Sequence, residues 1–175
     1  FIIEDIASGD MLKKWAPDGD QAWMDEVSSF NFTSMNPAFN GVWAYGFEGI
    51  TRANRAIAQL EDQALMTEIG MDGSLRNRLL GEMYFLRAFN NFGLVTNFGD
   101  VPILTHPFTD FNEIYEAAKR QPAEEVWQQI AADLSRAEEL LPAAKYADAA
   151  QPWRASWGAV IALQAKAALY NRQWQ

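Results

Sequence analysis

Apolar residues recur at intervals of three and four in four stretches of this chain, a pattern that predicts four α-helices. In the first, about residues 40–62, Trp43, Phe47, Ile50, Ala53, Ile57 and Leu60 fall on one face of a 3.6-residue helix. The second follows the turn Met71-Asp72-Gly73-Ser74, whose serine hydroxyl is placed to cap free amides, and runs to about Phe98 before Gly99 and Pro102 end it. Its stripe is Leu75, Leu79, Met83, Leu86 and Phe89, widened by Leu80, Tyr84, Leu94 and Val95, so cover on two sides is expected. The third has Pro122 in its first turn and Glu124 and Glu125 at the positive end of the helix dipole. Val126, Ile130, Leu134, Ala137 and Leu141 form its core face. The fourth, about residues 154–172, is alanine-rich: Ala155, Ala159, Ala162 and Ala165 permit close approach, and Leu163 and Leu169 add bulk.

No stretch alternates as a strand does. Residues 13–40 and 103–121 are expected to be irregular, with turn signals at Pro17-Asp18-Gly19-Asp20 and His106-Pro107, and residues 1–12 read as the tail of a helix. The expected class is all-α: antiparallel helix hairpins with long irregular loops, 40–62 pairing with 75–98 and 122–141 with 154–172, in a single helical-repeat domain over residues 1–175. No strict period of about 34 residues is visible.

Charge removes some partners. A net charge of −9 without any run of Lys or Arg argues against nucleic acid, which needs a basic stripe to displace counterions. The same sign disfavours anionic membrane surfaces. The chain has no cysteine, hence no disulfide or thiolate metal site, and no apolar run approaches the ~18–20 residues of a membrane span. It opens at Phe1-Ile2-Ile3 without a signal peptide and stops at Asn171–Gln175 in a continuing helix pattern, so a piece of a longer protein is expected.

Catalytic parts are scarce. His106 is the lone histidine, in a loop context, and there is no phosphate loop or histidine pair, so neither cofactor nor metal is expected. A serine triad would depend on that same histidine. Asp25 and Glu26 are adjacent and read as a solvated turn instead of a glycosidase pair. Asp18-Gly19-Asp20 falls short of a calcium loop, and the Asn31-Phe32-Thr33 sequon reads as coincidence. Trp43, Trp127, Trp157 and Trp174 are expected in core or helix contacts, where ring burial contributes ~2–3 kcal/mol each. The stretch Trp23–Asn40 is different, because it interleaves aromatic rings with carboxylates and amides. Flat apolar faces flanked by such groups suit a pyranose, and the candidate ligand residues are Trp23, Asp25, Phe30, Asn31, Phe32, Asn36 and Phe39. The alternative, that these rings only pin a loop to the helices, stays open.

Four ordered motifs then resemble one family. Ile50-Thr51-Arg52-Ala53-Asn54, with Trp43, Tyr45 and Phe47 before it, is similar to the latter half of W-x-x-x-Y-x-x-I-x-x-A-N. Gly81, Glu82, Phe85, Leu86, Arg87, Ala88, Phe92, Leu94, Val95, Phe98, Gly99, Val101 and Pro102 match a second motif, from which Met83 and Asn91 depart. Glu125, Val126, Ile130, Asp133, Leu134, Ala137, Leu141 and Pro142 match a third, with Trp127 for its tyrosine. Arg154, Ala155, Ser156, Ala159, Leu169, Tyr170 and Trp174 match a fourth, with Trp153 where glycine is usual. The chain thus resembles the N-terminal portion of SusD/RagB outer-membrane nutrient-binding lipoproteins.

That resemblance implies a tetratricopeptide-like scaffold and a cell-surface location through a lipid anchor outside this chain. It also implies capture of an oligosaccharide for a SusC-like TonB-dependent transporter, without catalysis. Ligand contacts are implied around an aspartate resembling Asp25, while Glu82 and Arg87 are expected to order the helices. A peptide-binding RagB-like protein and a helical-repeat adaptor for other proteins are the alternatives.

Overall fold

Side chains that accept from free amides set where the long helices begin. Residues 2–13 and 19–172 are described in the computed structural model. Among them the helices are α1 (Ile2–Ser8), α2 (Ala22–Ser28), α3 (Pro37–Glu61), α4 (Gln63–Glu68), α5 (Gly73–Phe98), α6 (Phe111–Ala117), α7 (Ala123–Leu140) and α8 (Trp157–Tyr170). Asn36 Oδ1 accepts from the Ala38 amide at 3.0 Å at the start of α3, and Ser156 Oγ from Ala159 at 3.3 Å at the start of α8. For α5 the cap is Asp72, accepting from Leu75 at 2.8 Å; the expected cap, Ser74, instead donates its hydroxyl to that carboxylate. A carboxylate is the stronger acceptor. Pro122 stands one residue before α7, and the Ala123 amide is answered from a distance by Asp100 at 2.9 Å.

The four long helices, the all-α class and the exit of α5 at Gly99 (φ +66°) follow the sequence pattern. Three short helices correct it: α2 and α6 lie in stretches expected to be irregular, and α4 follows α3 after one residue. Asp62 Oδ1 accepts from Ala64 and Leu65 to start α4, and Asp110 Oδ1 from Asn112 and Glu113 to start α6. Seven residues or fewer make two turns at most, too little for a periodicity to show. The only β pairing among the described residues is the bridge Val101–Gln121. Pro17, Asp18 and Trp174 lie outside the described residues.

Two compact units divide the chain, residues 1–45 and 46–175. In the first, α1 packs on α2, and Ile6 and Val27 are buried.

In the second, α5 is the central element. α3 runs antiparallel to it: Gly46 lies where a Cβ would come within 2.9 Å of the buried Leu94 side chain, and at the other end Arg76 Nε donates to the Leu60 carbonyl at 2.6 Å. α7 covers another side, also antiparallel, since Gly81 abuts Leu141 while Phe92 meets Trp127 edge-on at 5.6 Å. α8 closes on α7, where Gln164 donates to Glu138 at 2.8 Å, and reaches Phe92 through Tyr170. The expected α7 face, Val126 through Leu141, is entirely buried.

Two expected faces are corrected. On α5, Leu75, Leu86 and Phe89 are exposed, while Glu82, Arg87 and Asn91 are buried beside Leu80, Ala88 and Leu94. On α8, Val160 and Leu163 are buried, whereas Ala162, Ala165 and Leu169 face outward.

The buried charges explain the first correction. Arg87 donates to Asp133 through Nε (2.8 Å) and Nη2 (2.6 Å), and its Nη1 reaches Asn54 Oδ1 and the Thr105 carbonyl. Asn54 in turn donates to the Leu104 carbonyl at 2.9 Å. Burial pushes the Asp133 carboxyl up, against the Arg87 and Gln129 hydrogen bonds that pull it down. Glu82 is gripped by Arg154 through Nε at 2.8 Å and by Arg78 at 3.3 Å. Glu82 therefore ties α5 to the entry of α8, and Arg87 ties it to α3, α7 and the loop at Thr105.

Candidate functional site

All seven candidate residues lie in the first unit, on α2, on the turn after it and on the first residues of α3. Gln21 opens α2 from a left-handed backbone (φ +50°), and its Oε1 accepts from Trp23 Nε1 at 3.0 Å. The helix ends in a Schellman closure. The Asn31 amide donates to the Glu26 carbonyl at 2.9 Å and the Phe30 amide to the Val27 carbonyl at 3.1 Å. That closure needs a left-handed residue, and Phe30 supplies it at φ +54°. Glycine usually takes this place; a bulky ring there costs ~1–2 kcal/mol. The result is a phenyl ring 68% exposed.

Phe30 is not alone. Its ring lies 6.4 Å from Phe32, and Phe32 meets Phe39 edge-on at 4.9 Å. Phe32 is 40% exposed and Phe39 half-buried, so two rings face solvent and the third anchors them. Asn31 is exposed between Phe30 and Phe32.

Asp25 is exposed on α2, with Lys13 Nζ 2.5 Å from its Oδ2. Lys13 also donates to the Asp20 carbonyl. Asn36 corrects the expectation that its amide meets ligand. It is buried, its Nδ2 donates to the Trp23 carbonyl (3.2 Å) and Glu26 Oε2 (2.7 Å), and its Oδ1 caps α3. Its amide is used up in tying α2 to the start of α3, making it the brace beneath the rings. Lys13 and Gln21 support the site without any signal in the sequence pattern that marks them.

The arrangement offers apolar faces, an exposed amide and carboxylates that accept hydroxyls. Asp25 and Glu26 point to different partners, Lys13 and Asn36, and do not converge. His106 belongs to the other unit, exposed, with Nε2 3.0 Å from Glu113 Oε1. Among the described residues, no group of three or more His, Cys, Asp or Glu is placed to hold a metal ion. A hollow of about 660 Å³ runs along α7 between Ile103, Glu124, Gln128 and Ala132. It presents no aromatic face and suits a sugar less well.

Known proteins share this arrangement of helices. A SusD-like family described as starch-binding and associating with the outer membrane matches residues 7–169. SusD-like protein P2 of Formosa agariphila is 32% identical over 137 residues, 78% of this chain and 26% of that protein. Surface glycan-binding protein A from Bacteroides fluxus superposes with a TM-score of 0.79 at 26% identity, covering 98% of this chain and 34% of that one. A laminarin-binding SusD-like protein does so with a TM-score of 0.79 at 27% identity, covering 97% of this chain and 35% of its own. The chain belongs to the SusD-like family of carbohydrate-binding, outer-membrane-associated proteins. It spans about a quarter of the Formosa relative's length and about a third of the two structures'.

Proposed function

We propose that this chain, as the helical-repeat part of a longer SusD-like protein, binds an oligosaccharide at the bacterial outer-membrane surface. The ligand is handed to a SusC-like TonB-dependent transporter, with no bond made or broken. Phe30 and Phe32 stack on the C–H faces of the sugar, Asn31 and Asp25 take its hydroxyls, and Trp23, Asn36 and Phe39 hold the platform. A lipid anchor outside this chain keeps the protein at the surface. The observation that carries this reading is Phe30, held outward by a left-handed backbone beside a second exposed ring. Strain of that kind is retained where a side chain must be presented. The laminarin-binding structure, 27% identical, favours a glucan over a peptide.

Isothermal titration of the full-length protein against oligosaccharides and peptides is the test. Binding of a glucan is expected, weakened about tenfold, or ~1.4 kcal/mol, by Phe30→Ala and by Phe32→Ala. Binding of peptides alone would replace the glycan reading with a RagB-like or adaptor role. Unchanged affinity in both variants would move the site elsewhere.

A further inference from the structure

A second surface, in the unit of residues 46–175, has a different chemistry. α4 and the turn after it meet the end of α3 and the first half of α5 around a hollow of about 390 Å³. Leu60, Met66, Ile69, Met71, Leu79 and Met83 line it, and every other lining residue but Gln59 is apolar as well. Met66 is buried at its floor and Ile69 is 55% exposed at its edge. Three of the six methionines of the chain meet here, and unbranched thioether side chains adapt to varied apolar shapes.

Charge on the rim narrows what fits. From Ala56 to Leu75 there is no Lys, Arg or His, while Glu61, Asp62, Glu68 and Asp72 are all exposed. The neighbouring cations are Arg55, which is exposed, Arg76, whose Nε is tied to the Leu60 carbonyl, and Arg136 of α7, which is paired with Glu139 and also feels Glu61. Anionic lipid headgroups are repelled by such a rim, and a second copy of a chain with net charge −9 brings the same sign. A sugar finds no aromatic face in it.

We propose that this groove docks a polypeptide segment that presents large apolar side chains between lysines or arginines, as one face of a basic amphipathic helix does. The apolar side chains enter among Met66, Met71 and Met83, and the basic residues meet the neighbouring carboxylates, Glu68 first, since Asp62 and Asp72 already cap α4 and α5 and Glu61 accepts from Tyr84. This surface is independent of the aromatic turn and does not rest on the glycan reading.

The experiment uses the full-length protein labelled with 13C-methyl methionine, with signals assigned by single Met→Leu substitutions. A synthetic leucine–lysine amphipathic helical peptide is titrated in, alongside its leucine–glutamate counterpart. The leucine–lysine peptide is expected to shift Met66, Met71 and Met83 saturably and leave Met11, Met24 and Met35 in place. The glutamate peptide is expected to shift none. Glu68→Lys and Ile69→Glu, both exposed, should each weaken binding at least fivefold while the other methyl signals keep their positions. The proposal is overturned by shifts that both peptides cause, or that survive Glu68→Lys. It is equally overturned if phosphatidylglycerol vesicles or protein concentration alone move the three signals, or if no ligand moves them because another part of the chain fills the groove.

Discussion

Asn91 lies on the buried face of α5 with 1% of its surface exposed, and neither its Nδ2 nor its Oδ1 has a hydrogen-bond partner. A buried amide left unanswered costs ~1–3 kcal/mol. Asn91→Leu, which keeps the branched shape with somewhat more bulk, is therefore expected to raise stability by about 1 kcal/mol, read as a higher urea midpoint with an unchanged slope. A lower midpoint would mean the amide has a partner in solution. Tyr84 makes the opposite case, a polar group that is answered. Its hydroxyl donates to Glu61 Oε1 at 2.6 Å, and burial together with that carboxylate pushes the phenol from its usual 10.0 up to about 12. The folded state then keeps the proton longer than the unfolded chain, so this contribution is full below pH 10.0 and fades as pH climbs towards about 12. Tyr84→Phe should remove the highest phenolate step from an absorbance titration and flatten the loss of stability over that window. A Tyr84 step at the ordinary phenol value would contradict this.

At the level of elements, α7 and α5 show what the sequence pattern can and cannot carry. Every expected core position of α7 is an apolar residue and every one is buried, because hydropathy alone decides that face. α5 buries Glu82, Arg87 and Asn91 and exposes Leu86 and Phe89, since Arg154 and Asp133 neutralise the first two from 72 and 46 residues away. Periodicity within one helix contains no record of partners on another. The same limit applies to the candidate turn. Its alternation of rings and polar groups is plain in the sequence, but the left-handed backbone of Phe30 and the burial of Asn36 depend on α2, too short to read. It applies again to the start of α7, whose cap is Asp100, on the far side of α6. Asp100→Ala is expected to cost about 1 kcal/mol, and Asp100→Asn much less, because the amide oxygen still accepts from Ala123. Equal losses in the two variants would place the effect in charge instead of capping.

Across the whole chain the distribution of charge selects among ligands. Residues 1–45, which hold the aromatic turn, contain seven carboxylate side chains and two lysines, and the sequence as a whole carries −9. Lys13 is committed to Asp25 and the Asp20 carbonyl. A uronate or sulfate ester brought to Phe30 and Phe32 would therefore approach a unit with more carboxylates than cations, whereas an uncharged glucan meets only hydroxyl acceptors and ring faces. Repulsion over ~10 Å is felt at 0.1 M salt and shrinks to ~3 Å at 1 M. Titration with laminarin should give an affinity nearly independent of salt, and polygalacturonate should bind weakly or not at all at low salt. If polygalacturonate instead binds more tightly than laminarin, and adding salt abolishes that binding, a cationic subsite outside this turn holds the ligand. Loss of laminarin binding as salt rises would likewise contradict stacking on Phe30 and Phe32, because contact between apolar faces strengthens, if anything, as salt is added.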